Sequence, residues 1–192
     1  MAPPSTMSFG ANTSFTNSVI SEIGFLFAAK KPGFLPRILN KRNQSMKTLA
    51  PLTESEVKQL VDDWYSKLDI HAPVEEFLPM LADKNLEMQF PEGTLHSLDE
   101  FKTWYDRVTY TFFDEVHTMQ VLNITPALDQ ANIQLVVRWE AHRWHPPAPK
   151  SERLDFDAAQ RWVVKRSPDT QKPVIVTYIV DSLTPQKGSA SL

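Results

Sequence analysis

Apolar residues recur every three or four positions between residues 54 and 68. This spacing places them on one face of an α-helix and predicts a helix over about residues 54–67 that packs against a core. Thr53 and Glu56, three residues apart at the start of this segment, form the capping-box pattern of a helix start. The residues of the apolar face are Val57, Leu60, Val61, Trp64 and Leu68.

Three further elements are predicted before residue 113. Pro73 suits the first turn of a short second helix, and residues 86–90 are typical of a short strand ended by the turn at 91–93. A second capping box, Ser97 with Glu100, begins another helix. The apolar face of that helix consists of Phe101, Trp104, Tyr105, Val108 and Phe112.

Beyond residue 115 the pattern changes to an alternation of apolar and polar residues. A period of two is typical of strands that bury one face, and it predicts strands over 116–124, 133–144, 154–165 and 174–183. Turn-forming residues separate these strands. Helices followed by consecutive strands predict an α+β fold with the helices packed on one face of an antiparallel sheet.

The alternation also assigns side chains to the two faces of the sheet. In the third long strand, Gln160 shares a face with apolar residues. A buried amide without a partner costs free energy, so a ligand, Tyr178 or a water molecule is expected to bind it. The apolar set is Ile133, Leu135, Val137, Trp139 and Ala141 in the second long strand and Leu154, Phe156, Ala158, Trp162 and Val164 in the third.

The composition is that of a soluble globular protein, with 42% hydrophobic and 22% charged residues in 192. We expect one domain over residues 51–184 and a disordered tail over 185–192. Residues 1–50 are rich in Ser, Thr and Asn, which predicts a flexible or targeting-like extension. The expected location is the cytoplasm, or an organelle if this extension directs import.

Charge and residue content exclude several classes of function. Residues 1–50 hold one acidic residue against six basic ones, so the rest of the chain carries −8 and does not suit nucleic acid. The chain contains no cysteine, which removes disulfides, thiolate metal sites and cysteine nucleophiles. The apolar run at 23–29 is too short to span a membrane.

No motif for a cofactor or a metal is present in the sequence. With five glycines, the chain has neither a phosphate-binding loop nor a dinucleotide fingerprint. His96, His142 and His145 have no partner at metal-ligand spacing. We therefore expect neither a cofactor nor a metal.

The order of elements and five short motifs resemble the nuclear-transport-factor-2-like superfamily, and most closely its SnoaL-like branch of polyketide cyclases and scytalone dehydratase relatives. The resemblance covers about residues 52–183. Its motifs are Trp64-Tyr65, Leu68-Asp69, the strand at 86–91, Phe101 with Trp104-Tyr105, and the run Asp114-Glu115-Val116-His117.

This resemblance implies a cone-shaped fold, in which N-terminal helices and a strongly curved antiparallel sheet enclose a hydrophobic pocket, commonly in a dimer. In scytalone-dehydratase-like members a histidine that follows the third helix works with an aspartate near the end of the first helix. His117 matches the histidine, and Asp69, or His71 with a shift of two residues, matches the aspartate. His142 is nearest to a further histidine of those enzymes, but its alternation places it on the polar face.

Other branches of the superfamily fit less well. The catalytic aspartate of ketosteroid-isomerase-like members would fall at or beside Phe90, an apolar residue. Nothing in the chain is specific to cargo binding of the transport-factor type.

The sequence thus predicts a protein that binds a small apolar or polyketide-like molecule, either as a cofactor-free lyase, isomerase or cyclase or as a non-catalytic ligand-binding or dimerisation module. The candidate catalytic residues are His117, Asp69 and His71. A homodimer through the outer face of the sheet, at Arg138, Glu140 and His142, is also expected. The candidate ligand-binding residues are Trp104, Tyr105, Trp139, Gln160, Trp162 and Tyr178.

Overall fold

The structure is a computed structural model that describes residues 49–192. The extension predicted over residues 1–50 falls almost entirely outside the described residues. The described elements, in chain order, are α1 (Glu54–Asp69), two short 3-10 helices (Val74–Glu76 and Leu78–Met80), β1 (Glu87–Phe90), β2 (Gly93–Leu95), α2 (Leu98–Thr111), β3 (Phe112–Pro126), β4 (Gln130–Arg143), β5 (Glu152–Arg166) and β6 (Pro173–Pro185).

Both predicted helices begin at the residues that the capping patterns indicate. The Thr53 hydroxyl accepts a hydrogen bond from the Glu56 amide at 3.2 Å, and the Glu56 carboxylate accepts one from the Thr53 amide at 3.0 Å. Ser97 caps α2 in the same way, through the Glu100 amide. Side-chain acceptors at these positions satisfy backbone donors that have no partner within the helix.

The predicted α+β fold is confirmed: helices pack against a curved, unclosed six-stranded sheet with strand order β2-β1-β6-β5-β4-β3. The four long strands form the expected antiparallel succession. β1 departs from this antiparallel pattern, because it pairs with β6 in parallel. β2, which pairs with β1, was not predicted. Pairing between strands this far apart in the chain leaves no local pattern in the sequence.

The short helix predicted after Pro73 is two 3-10 turns instead. Pro79 lies inside the second turn and has no amide hydrogen to continue an α-helical ladder. Phe77, Met80 and Leu81 of this segment are nonetheless buried.

The core lies between the helices and the inner face of the sheet. Trp64 of α1 meets Phe77 edge-on at a centroid distance of 5.2 Å and Trp162 of β5 at 6.1 Å. The predicted assignment of faces is correct, since the inward residues of β4 and β5 are buried, apart from the half-buried Trp139. This packing fixes α1 and α2 over the sheet.

Two irregularities change the direction of side chains along β3. Its register against β4 shifts between Phe113 and Val116 and again between Met119 and Val121. Such β-bulges insert an extra residue, bend the strand and restore the inward direction for residues that plain alternation would turn outward. They give the sheet curvature beside the cavity described below.

The C-terminal residues, predicted to be disordered over 185–192, make backbone hydrogen bonds to β5. The Gln186 amide donates to the Asp155 carbonyl at 2.8 Å, and the Ala190 amide donates to the Arg153 carbonyl at 2.9 Å. Leu192 reaches the lining of the cavity. No helix within residues 49–192 has both the length and the apolar character needed to cross a membrane.

Candidate functional site

A cavity of about 350 Å³ lies between the inner face of the sheet, α2 and the end of α1. Most of its lining is apolar, which suits a small hydrophobic molecule. The apolar lining includes Leu68, Val108, Val137, Ala158 and Val180. The residues with polar atoms are Glu92, Trp104, Glu115, His117, Trp139, Gln160 and Tyr178.

His117 and Asp69 form a hydrogen-bonded pair at this cavity. The imidazole Nδ1 lies 2.7 Å from Oδ1 of Asp69, and the same oxygen accepts the backbone amide of His117 at 2.9 Å. The His117 side chain is 9% exposed, and that of Asp69 is 31% exposed. The structure therefore brings together two of the three predicted catalytic candidates, one from the last turn of α1 and one from β3.

The pairing fixes the state of the imidazole. An ionised carboxylate can only accept hydrogen bonds, so Nδ1 carries the hydrogen and a neutral His117 has its lone pair on Nε2. Tyr65 packs against the ring at a centroid distance of 5.1 Å and limits its rotation. A histidine held in this tautomer is suited to accept a proton from a bound molecule.

His71 makes a different pair, with Glu115, a residue that was not among the candidate site residues predicted from the sequence. Its Nε2 lies 2.9 Å from Oε1 of Glu115, and Oε2 of Glu115 accepts the indole N–H of Trp139 at 2.8 Å. Glu115 is buried and lines the cavity. His71 and Asp69 are thus not alternatives for one role, because each binds a separate partner on β3.

The first β-bulge explains how Glu115 was missed. Asp114 adopts φ 52° inside the bulge, and Phe112, Glu115 and His117 all line the cavity although their spacing breaks the alternation. Aspartate tolerates this left-handed conformation better than most residues.

Gln160 is buried on the inner face, as predicted, and its oxygen binds two donors. Oε1 accepts the Tyr65 hydroxyl and the Trp162 indole N–H, each at 2.9 Å. Because an indole nitrogen can only donate, the amide oxygen must face Trp162 and the amide nitrogen must face the other way. Within residues 49–192 no hydrogen bond from Nε2 is found, and Gln160 lines the cavity.

Three of the predicted aromatic ligand-binding residues also line the cavity. Trp104 stacks on Phe90 at a centroid distance of 4.0 Å and donates its indole N–H to Glu92 at 2.9 Å. Trp139 is held by Glu115, and Tyr178 packs against Trp162. Burial raises the pKa of Tyr178 to about 12, so its hydroxyl stays protonated near neutral pH.

Two of the predicted ligand-binding residues are not part of the lining. Tyr105 is buried in the core, where its hydroxyl donates to the Ala72 carbonyl at 2.7 Å and burial raises its pKa to about 12. Trp162 is 1% exposed and donates its indole N–H to the Gln160 amide oxygen. Alternation and composition do not distinguish a buried aromatic that faces a cavity from one that faces the core.

The outer face of the sheet carries the remaining histidine candidate. His142 lies there, as its alternation predicts, with Nδ1 3.8 Å from an Asp114 oxygen. On the same face, the Arg138 guanidinium donates to both oxygens of Asp155, and Arg153 donates to Glu140 at 2.5 Å. Partners within the chain thus bind Arg138 and Glu140, which were expected to contact a second copy.

Comparison with solved structures identifies the fold. A nuclear-transport-factor-2-like superfamily protein of Salmonella enterica superimposes with a TM-score of 0.59 at 13% identity, covering 72% of this chain and 95% of that one. The chain has the nuclear-transport-factor-2-like fold. No family model matches the chain, and no curated protein matches it.

Two solved structures that are named after enzymes are also similar to this chain. The type 3 hexachlorocyclohexane dehydrochlorinase of Novosphingobium barchaimii has a TM-score of 0.57 at 13% identity, over 72% of this chain and 92% of that one. A scytalone-dehydratase-like protein of Novosphingobium aromaticivorans has a TM-score of 0.55 at 14% identity, over 72% and 88%. At identities this low, the similarity establishes the shared fold alone. The activity of this chain has to be inferred from its own site.

Among residues 49–192, no group of three or more histidine and acidic side chains is arranged to hold a metal ion. Two of the polar residues that line the cavity, Glu115 and His117, are each paired with a residue outside the lining, Glu115 with His71 and His117 with Asp69. This arrangement offers proton transfer as the chemistry of its own side chains.

Proposed function

We propose that the protein binds a small apolar molecule in this cavity and catalyses a lyase or isomerase reaction that begins with proton removal by His117. The observation that carries the proposal is the 2.7 Å contact between His117 Nδ1 and the Asp69 carboxylate at the wall of an apolar cavity. Asp69 is a positioning residue that stabilises the imidazolium formed when Nε2 accepts a proton.

Gln160 supplies the second function that proton removal needs. When a C–H bond next to a carbonyl group breaks, negative charge develops on the carbonyl oxygen. The Gln160 amide nitrogen, fixed by Tyr65 and Trp162 on its oxygen side, is the donor that we assign to that oxygen. A hydrogen bond in such apolar surroundings is stronger than the same bond in water.

The similar enzymes support the proposal at the level of reaction type. Dehydrochlorinase and dehydratase both name eliminations, in which a C–H bond and a bond to a leaving group break. The nuclear-transport-factor-2-like fold therefore accommodates such chemistry.

Ring opening of nitrobenzisoxazole tests the base directly, because this probe needs only removal of one proton and releases a coloured nitrophenolate. We expect His117→Gln to lower kcat/KM at least 100-fold, which is the contribution of a positioned general base. Asp69→Asn should lower it by about tenfold or more, since the imidazole then loses its tautomer and its counter-charge.

His142→Gln is the matched control, because it removes a histidine that lies beside a carboxylate but outside the cavity. Its rate should equal that of the unaltered protein. A rate no higher than that of free imidazole at the same concentration, or full activity in a folded His117→Gln variant, contradicts the proposal.

One observation favours the non-catalytic alternative. Asp69 also accepts the backbone amide of His117 at 2.9 Å, so the pair connects the end of α1 to β3. In a binding or dimerisation module, the pair of His117 and Asp69 would serve only to connect α1 with β3. Nitrobenzisoxazole that binds without turnover would support that module.

A further inference from the structure

Two carboxylates are buried among residues 49–192, those of Glu115 and Asp155, and their partners differ in charge. On the outer face of the sheet, the Asp155 carboxylate binds two arginine guanidinium groups, at 2.7 and 2.8 Å. At the cavity, Glu115 accepts the indole N–H of Trp139 and pairs with His71, and no arginine or lysine of the described residues binds it. Removing an ionised carboxylate from water costs free energy unless a positive charge compensates it.

A second carboxylate lines the same cavity. Glu92 is exposed and follows β1, and its Oε1 accepts the indole N–H of Trp104 at 2.9 Å. Glu115 accepts the indole N–H of Trp139 in the same way, at 2.8 Å. Among the described residues, the lining of the cavity contains no lysine and no arginine. Both carboxylates are therefore held by neutral indole donors.

The two histidines beside the cavity do not neutralise the negative charge. The carboxylates of Asp69, Glu92 and Glu115 number three, against the two imidazoles of His71 and His117. With a proton on both imidazoles, one negative charge is left. When His117 is neutral, as a base must be before it accepts a proton, at least two are left.

Aromatic side chains surround the two carboxylates. The aromatic residues of the lining are Phe90, Trp104, Phe112, Trp139 and Tyr178. An aromatic ring has a positive edge and a negative face, so an indole binds an anion through its N–H and attracts a cation to its face. Trp104 and Trp139 use their N–H groups on carboxylates. Aromatic faces beside carboxylates are a combination that binds ammonium groups.

We infer that the molecule bound in this cavity carries a positively charged nitrogen beside its apolar part and that Glu115 binds the ammonium group. This deepens the proposed function and rests on it for the cavity as the place of binding. Each Glu115 oxygen has two lone pairs and one partner, so it can accept a further hydrogen bond from an ammonium N–H. Glu92 adds negative charge to the same wall.

Three compounds with one carbon skeleton test the inference: 4-phenylbutylamine, 4-phenylbutanol and 4-phenylbutanoate. At neutral pH the first is a cation, the second is uncharged and the third is an anion. Isothermal titration calorimetry with the whole chain gives the Kd of each compound and needs no turnover. We expect the amine to bind about tenfold more tightly than the alcohol, or better, because hydrogen bonds between charged groups are the stronger ones. The carboxylate should bind most weakly.

Glu115→Gln keeps the shape of the side chain and an acceptor for Trp139 but removes the charge. We expect it to weaken binding of the amine about tenfold or more and binding of the alcohol less than about threefold. Glu92→Gln replaces an exposed residue, should lower the preference for the amine in the same direction, and carries the test if Glu115→Gln does not fold. Glu54→Gln, in the first turn of α1, is the matched control and should leave all three affinities unchanged.

The remaining outcomes separate this inference from the proposed function. An amine that does not bind, or binds no more tightly than the alcohol, overturns the inference and leaves His117 as the base, because nitrobenzisoxazole carries no ammonium group. A preference for the amine that is as large in the Glu115 and Glu92 variants as in the native protein also overturns it. If the amine binds as expected but nitrobenzisoxazole is not turned over, the proposed reaction is contradicted and the ammonium site stands.

Discussion

Gln160 shows how much depends on a single polar side chain in an apolar environment. Its amide oxygen is the acceptor for two buried donors, the Tyr65 hydroxyl and the Trp162 indole N–H. Burial raises the pKa of Tyr65 well above its ordinary value, so that hydroxyl stays protonated and donates near neutral pH. One side chain thus satisfies both buried donors of the inner face, and it also lines the cavity.

Replacing Gln160 by leucine removes the acceptor and leaves both donors buried without a partner. We expect a loss of about 2–4 kcal/mol in the free energy of unfolding, because each unsatisfied donor costs about 1–3 kcal/mol. Urea denaturation measures it. Gln134→Leu is the matched control on the exposed face of β4, with an expected change within about 0.5 kcal/mol. Equal effects of the two substitutions would contradict this account.

The same residue shows where inference from the sequence works and where it stops. Gln160 was placed correctly, because β5 alternates without interruption across the centre of its inner face. Glu115 was not identified, because the bulge that turns it inward depends on the pairing of β3 with β4. Alternation records which face a residue occupies only as long as the register is regular.

At the scale of elements, Arg166 connects the start of α1 to the end of β5. Its guanidinium donates to both carboxylate oxygens of Glu56, at 3.0 and 2.8 Å, and to the Ala50 and Pro51 carbonyls. The hydrogen bonds from Arg166 to the Glu56 carboxylate, together with those from Thr53, lower the pKa of Glu56 from 4.5 to about 2. Glu56, which takes part in the capping box of α1, therefore also connects this helix to β5.

This contact makes stability depend on pH in acid. A carboxyl group whose pKa is lowered on folding stabilises the folded state above its unfolded pKa, and that stabilisation is lost as pH falls from 4.5 toward about 2. The Glu56 side chain is 39% exposed, so solvent screening reduces the effect to about 1 kcal/mol. Urea denaturation at several pH values in this range measures it.

Glu56→Gln should remove that part of the acid dependence. Glu54→Gln, which replaces an exposed glutamate in the same first turn of α1, should preserve it. If Glu56→Gln destabilises equally at neutral pH and at the acid end of the range, the charge of Glu56 is not the cause.

The elements themselves were predictable to different degrees. α1, α2 and the four long strands have strong periodic patterns, and the structure has each of them with ends shifted by a few residues. The parallel pairing of β1 with β6 was not predictable. These strands are far apart in the chain, and the fold as a whole determines that they lie side by side and run in the same direction.

At the scale of the whole molecule, the outer face of the sheet is where we expect a second copy to bind. Three apolar side chains of β3 are exposed there, with Val116 at 47%, Val121 at 45% and Phe113 at 40%. Beside Val121, the Arg161 guanidinium already binds the Asp181 carboxylate, so its charge is neutralised before any contact forms. An exposed apolar patch with a neutralised polar border is typical of an interaction surface.

The predicted homodimer is therefore expected to use β3 in place of Arg138 and Glu140, whose groups are bound within the chain. Light scattering should give twice the chain mass of 21.9 kDa. Val121→Glu should return the mass to that of one chain, because a charge is then desolvated at the contact. Leu128→Glu, an exposed leucine in the turn after β3, should leave the dimer intact. A native protein that scatters as a single chain contradicts the expectation, and a dimer that survives Val121→Glu places the contact elsewhere.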